Sequence, residues 1–363
     1  MSAAHTSHTK ILPLEGLRGV MAWWVVLGHL SLAMGWNLPV IDRNGLAVDV
    51  FIVLSGFVIA GLIDRRSEPF APYITRRVFR LAPLYLVVLL ISAALLPVQQ
   101  FAWETLPDTA RNAGRIELVR LALDNLPAHL AVHLPLAQGI VPNRVLPQAA
   151  FTILGQAWSI SLEMQFYLIA PLAMWALRRW DRLALLLTIC VLLLALGPQF
   201  GSAFIGNKLF LFAVGIFAAK ATGQGGSLRW LAAATLAAGC AVWQGGVWII
   251  LPLAMIAIVL IAALSDRGPL RLLAQLLGSR ALVHQGEISY STYLIHMIPL
   301  YVTAAACAAL GIDGWGKAMA ITLATVGGTY LIALATYRWI EHPARDWGTV
   351  LARRMQTRPS TSA

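Results

Sequence analysis

Apolar residues in this chain come in long blocks, and the blocks leave it few ways to fold. About ten of them stand at 14–34, 46–64, 80–97, 150–176, 183–198, 206–221, 230–244, 246–264, 287–310 and 317–339. A run of about 20 apolar residues matches the hydrocarbon thickness of a bilayer, where a helix satisfies its own backbone. Charged residues make up only 12% of the 363 residues, about half the share that covers a soluble domain. The expected fold class is an all-α integral membrane protein, a bundle of about ten transmembrane helices in a multi-pass arrangement. The lipid bilayer is therefore its first expected partner.

The net charge of +11 would suit nucleic acid in a soluble protein. Here the arginines lie between apolar blocks, so they orient the chain instead, and no nucleic-acid partner is expected. With the N-terminus inside, only Arg43, Arg111, Arg115, Arg120, Arg144, Lys208 and Lys317 of the 27 basic residues face outward. This bias places both termini in the cytoplasm, as expected of a multi-pass protein of an inner (plasma) membrane. Residues 1–345 are expected to form one domain, with a long outward loop at about 98–149, and 346–363 a disordered cytoplasmic tail. Within the loop, 115–126 is amphipathic and 128–141 is short enough for a re-entrant or interfacial piece. The first block carries Glu15, Arg18 and His29, unlike a signal peptide, and is read as a retained helix. Cys190, Cys240 and Cys307 each lie inside an apolar block and show no metal or disulfide spacing.

Ionisable groups inside spans are costly in lipid and mark function by default. Arg18 and His29 stand eleven residues apart, which puts both on one helix face and His29 about 16 Å deeper. Arg18 also suits a snorkelling anchor, and His29 an interhelical hydrogen bond. Asp49, at a depth like that of His29, is expected to receive its imidazole N–H, with helix capping as the alternative. Ser55 and Gly56 suit close helix packing. Arg77 and Arg80 share a face at i, i+3 and can grip one phosphate together. Glu163 sits mid-bilayer among Ser159, Gln165 and Tyr167, and His296 shares a face with Tyr293, where polar glue between helices is the competing role. His129 and His133 lack a third metal ligand and read as ordinary loop residues.

Taken in order, these segments resemble the membrane acyltransferase family 3, whose bacterial members O-acetylate lipopolysaccharide and exopolysaccharide. LEGLRGVMAWWVVLGHL matches the family's Arg-x10-His signature through Arg18 and His29, and VDVFIVLSGF supplies Asp49. Arg77 and Arg80 match the RxxR pair, WSISLEMQFY supplies Glu163, SYSTYLIH resembles the late histidine motif, and EHPAR the closing E-x-P-x-R. Glu15 replaces a usual aspartate, and Met164 a common second glutamate. No extra hydrolase-like domain is expected beyond the bundle, so acceptor recognition is expected from the bundle and its outward loop.

The resemblance implies transfer of an acyl group, acetyl from acetyl-CoA above other acyl-CoA donors, to a sugar hydroxyl on a surface or lipid-linked glycan. The acyl-CoA is a co-substrate, and no permanently bound cofactor or metal is expected. Arg77, Arg80 and Arg18 would hold its phosphates, His29 would act as general base, Asp49 would orient it, and Glu163 would place the acceptor or relay a proton. Ser159, Tyr167, Tyr293 and His296 are candidate substrate-binding residues. A secondary transporter, in which mid-membrane Asp, Glu and His are also normal, is the alternative from another class.

Overall fold

The computed structural model describes residues 11–66, 68–223 and 226–357, and among them every regular element is helical. Lys10 and Arg358, both counted toward the inner face, lie outside the described residues. Helix α1 (Leu12–Met34) takes Pro13 in its first turn, where a missing N–H costs nothing, and ends at Gly35 with φ +68°. The chain returns through α2 (Gly45–Arg65) and crosses again as α3 (Phe70–Ala94). The segment expected as a long outward loop is not structureless: it folds as α4 (Leu96–Glu104), α5 (Ala110–Asp124) and α6 (Leu126–His133). Beyond α6 a short turn at Gln138–Ile140 runs back against α7 (Trp158–Ala176), where the Gly139 N–H donates to Ser161 Oγ at 3.1 Å. A Cβ on Gly139 would stand 2.6 Å from the Ala203 carbonyl oxygen.

The second half consists of α8 (Leu183–Leu196), α9 (Leu209–Thr222), α10 (Leu228–Gly245), α11 (Ile250–Ala263), α12 (Gly268–Leu277) and α13 (Arg280–Glu287). Next, α14 (Ser289–Ile295) and α15 (Met297–Ala309) form one run. The last, Gly314–Thr357, joins α16 (Gly314–Leu323), α17 (Thr329–Thr336) and α18 (His342–Thr357) through two π-helical turns. Six helices among the described residues are long and apolar enough to cross a membrane, and α11 with α12, bent by 101°, makes a seventh if counted as one span. The ten expected spans do not all appear as such helices. At 14 residues each, α9 and α11 reach about 21 Å. The apolar character of α7 is diluted by Ser159, Ser161, Glu163 and Gln165.

Small residues set the close contacts. A Cβ on Gly19 would lie 2.7 Å from Gln285 Cβ, and one on Gly286 would strike the Glu15 backbone, so α1 and α13 touch main chain to main chain. Gly56 of α2 and Gly215 of α9 likewise face each other across the most extensive helix pair in the molecule. At the opposite extreme α8 buries no residue at all, and Leu187, Val191 and Leu192 stand exposed, as a lipid-facing helix requires.

The expected disordered tail is corrected over most of its length. Residues 346–357 belong to α18, which packs on α3 through Ala344, Gly348 and Ala352, with Gly348 beneath Phe79. That i, i+4, i+8 stripe of small residues makes the helix amphipathic despite its many charges. Residues 358–363 lie outside the described residues.

Candidate active site

A cavity of about 400 Å³ opens among α1, α2, α3, α7 and α14. It runs along α2 from Arg65 to Phe51, a distance of about 21 Å on a helix. Six arginines and three glutamates line it, so its charge favours an anion. Seven of the expected site residues meet there: Arg18, Arg77, Arg80, Ser159, Glu163, Tyr167 and Tyr293. The shared i, i+3 face of Arg77 and Arg80 on α3 brings both into the cavity.

Glu163 is held from two sides. Ser55 Oγ donates to its Oε1 at 3.1 Å, and the Tyr167 hydroxyl, one turn along α7, donates to the same oxygen. The Arg77 guanidinium lies 5.7 Å from the centre of the Tyr167 ring. Arg80 sits in the combined field of Glu163, Glu341 and Glu15. Arg18 pairs with Glu15 at 3.2 Å, i, i+3 on α1, which anchors the guanidinium at the cavity wall.

At the deep end stand Phe51, Ser159 and Tyr293, with the Phe51 and Tyr293 rings edge to face at 6.1 Å. The Tyr293 hydroxyl donates to the Gln156 carbonyl at 2.7 Å, which leaves Ser159 Oγ, 2.8 Å away, to donate to Tyr293. His29 and His296 do not line the cavity; they lie behind Tyr293. His29 Nδ1 and His296 Nε2 are 2.7 Å apart, and His296 Nδ1 is 2.7 Å from the Tyr293 carbonyl oxygen. His296 is fully buried, whereas His29 keeps partial exposure.

The expected pairing of Asp49 with His29 is corrected. Asp49 accepts from Lys208 Nζ at 2.6 Å in a largely buried ion pair. It shares a face of α2 with Val53 and Gly56, and that face meets α9, not α1. Nor does Asp49 cap α2, which begins at Gly45.

His129 and His133 are corrected from loop residues to buried parts of a polar cluster. The His133 Nε2–H donates to the Ala149 carbonyl at 2.8 Å, and His129 Nδ1 lies 2.8 Å from Thr152 Oγ1. Burial pushes the His133 imidazole down to about 4, which keeps it neutral. Among the described residues no group of His, Cys, Asp and Glu is suited to hold a metal ion.

Two functional candidates were missed in the sequence. The sequence marks Arg115 only as a basic residue of the loop, yet α5 docks on the C-terminal end of α1. Buried Asn112 donates to the Ala33 carbonyl at 2.9 Å, one turn past His29 on the same face. Arg115 lies 3.4 Å from Asn112 Oδ1 and 4.4 Å from the centre of the Trp103 ring, and its charge acts on both His29 and His296. The i, i+3 spacing of Asn112 and Arg115 was the available signal. The other is Glu341 on the second π-helical turn, quoted only as part of EHPAR. It is buried, accepts from Ser291 Oγ at 2.8 Å, and lies 3.8 Å from Arg345.

Two proteins are similar to this chain in sequence. A protein named as a membrane-bound transacylase, BcsY of Komagataeibacter xylinus, is 34% identical over 159 residues, 43% of this chain and 35% of its own. The exopolysaccharide production protein ExoZ of Rhizobium meliloti (strain 1021) is 27% identical over 343 residues, 88% of this chain and 94% of its own. No solved structure matches. The family described as an acyltransferase domain matches residues 12–335, nearly the whole membrane bundle. Of the readings the sequence left open, the first therefore stands: the chain belongs to the membrane acyltransferase family 3 and is a membrane acyltransferase.

Proposed function

We propose that the enzyme transfers an acyl group, acetyl from acetyl-CoA in the first instance, to a sugar hydroxyl of an exopolysaccharide on its lipid-linked precursor. The observation that carries this reading is the arginine-lined cavity, whose deep wall, Tyr293, is also the residue that holds the histidine pair. Arg77 and Arg80 grip the phosphates of the coenzyme, with Arg18 at the same wall. The acyl-bearing arm then extends along α2 toward Phe51 and Tyr293. His29 takes the proton of the acceptor hydroxyl while that oxygen attacks the thioester carbonyl. The C–S bond breaks, and the coenzyme thiolate recovers the proton from the imidazolium. Glu163, fixed by Ser55 and Tyr167, balances the guanidinium charge beside the reacting arm. The name of ExoZ supports a polysaccharide acceptor.

Purified enzyme in lipid nanodiscs, given radioactive acetyl-CoA and membranes of a strain lacking the protein as acceptor source, should label a glycan. His29→Ala should abolish labelling and leave donor binding intact. Arg80→Ala should raise the KM for acetyl-CoA by about tenfold or more, the loss of one charge-assisted contact. Normal labelling by His29→Ala defeats the proposed base. An unchanged KM in Arg80→Ala defeats the phosphate role.

A further inference from the structure

We infer that His296 is the positioning residue that fixes the reactive tautomer of His29, an inference that rests on His29 serving as the base. The argument follows the protons. A carbonyl oxygen can only accept, so the 2.7 Å contact between His296 Nδ1 and the Tyr293 carbonyl requires the proton on Nδ1. A neutral imidazole carries one N–H, so His296 Nε2 presents a lone pair. The 2.7 Å contact from that nitrogen to His29 Nδ1 then requires the proton on His29 Nδ1. Neutral His29 is left with a bare Nε2, the nitrogen a general base must present. Among the described residues no hydrogen bond occupies that nitrogen.

The ring geometry fits this chain of donors. The two planes differ by 5° and the centroids are 5.0 Å apart, which is the N···N contact extended by the radius of each ring. The imidazoles therefore meet edge to edge along the bond. Main chain sets the orientation of the pair. His296 follows Tyr293 by three residues, and the Tyr293 carbonyl sits where α14 gives way to α15. When His29 accepts a proton at Nε2, its Nδ1–H already points at the His296 lone pair, so the imidazolium is stabilised without any group moving. In other acyl-transfer enzymes a carboxylate does this work. Here a neutral imidazole does it, against the repulsion of the nearby Arg115 and Arg111 guanidiniums, and Asp49 pairs with Lys208 instead.

Three substitutions separate this role from simple packing. Gln at position 296 places a carbonyl oxygen near the Nε2 position and keeps the acceptor for His29. Asn keeps a donor for the Tyr293 carbonyl but has no atom at the Nε2 position, and Phe keeps neither. We expect His296→Gln to retain kcat within about tenfold of the native enzyme. His296→Asn and His296→Phe should lose about 100-fold or more, with the KM for acetyl-CoA within about threefold in all three. Equal rates for Gln and Asn, or normal rates for both, overturn the assignment. Should the Phe variant fail to fold, ¹⁵N-histidine solid-state NMR of the native enzyme in nanodiscs decides the question. His29, identified by the signals missing in His29→Gln, should show a protonated Nδ1 and a bare Nε2; a protonated Nε2 overturns the inference. The two readings fail separately: an active His29→Ala removes the base itself, whereas an inactive His29→Ala with a fully active His296→Asn removes only the role of His296.

Discussion

Arg115 shows how one side chain ties the α4–α6 segment to the histidine pair. Its guanidinium is held by Asn112 and Trp103, and Asn112 is bonded to α1 one turn beyond His29. On the proposed mechanism, a fixed cation beside His29 would stabilise negative charge that develops on the acyl oxygen during attack. Arg115→Gln should therefore lower kcat about 100-fold while the KM for acetyl-CoA stays near native, as initial-rate kinetics would record. Arg115→Lys should recover part of the rate. At this scale the sequence was legible where a residue is expensive in lipid, as with mid-span Glu163, and where spacing sets a shared face, as with Arg77 and Arg80. The partner of His29 was misread. Depth along a helix follows from residue counting, but which face meets which neighbour does not. Asp49 and His29 share a depth, and α2 turns Asp49 toward α9. Its true neighbour, His296, lies 267 positions away, beyond the reach of any spacing argument.

Helices here are located by glycine as much as by apolar area. The Gly56–Gly215 contact brings α2 and α9 to backbone distance and so fixes the wall of the cavity that α2 provides. Gly56→Leu should push the pair apart and destabilise the fold by about 2 kcal/mol or more, seen as a lower melting temperature in nanodiscs. Gly239→Leu, where a Cβ meets open space on exposed α10, should melt near the native temperature. The apolar blocks announced the helices, and their depth of burial was hidden. The helices α4 and α6 span only 9 and 8 residues, too few turns for a clear period, and of α5 only the amphipathic stretch 115–126 was legible. Helix α18 was masked by its charge, although its small-residue stripe was visible in hindsight.

The molecule as a whole places its guanidiniums unevenly, and this asymmetry is the basis for its orientation. We take the end carrying Arg65, Arg66, Arg77 and α18 as cytoplasmic, the side where acetyl-CoA is made available. With the three native cysteines replaced, a single cysteine at Arg120 should react with a membrane-impermeant maleimide in intact spheroplasts. One at Arg353 should react only after the membrane is opened, and the reverse pattern would turn the protein over. Tyr293 and Phe51 give this orientation a further meaning. They stand across the head of the donor cavity, a partition one side chain thick between the arginines and the histidine pair. A hydrated duct of this polarity running from face to face would conduct protons and drain the electrochemical gradient that powers the cell. With its one large described cavity closed at the head by aromatic rings, the protein can take in an anion from one face while the membrane stays electrically tight.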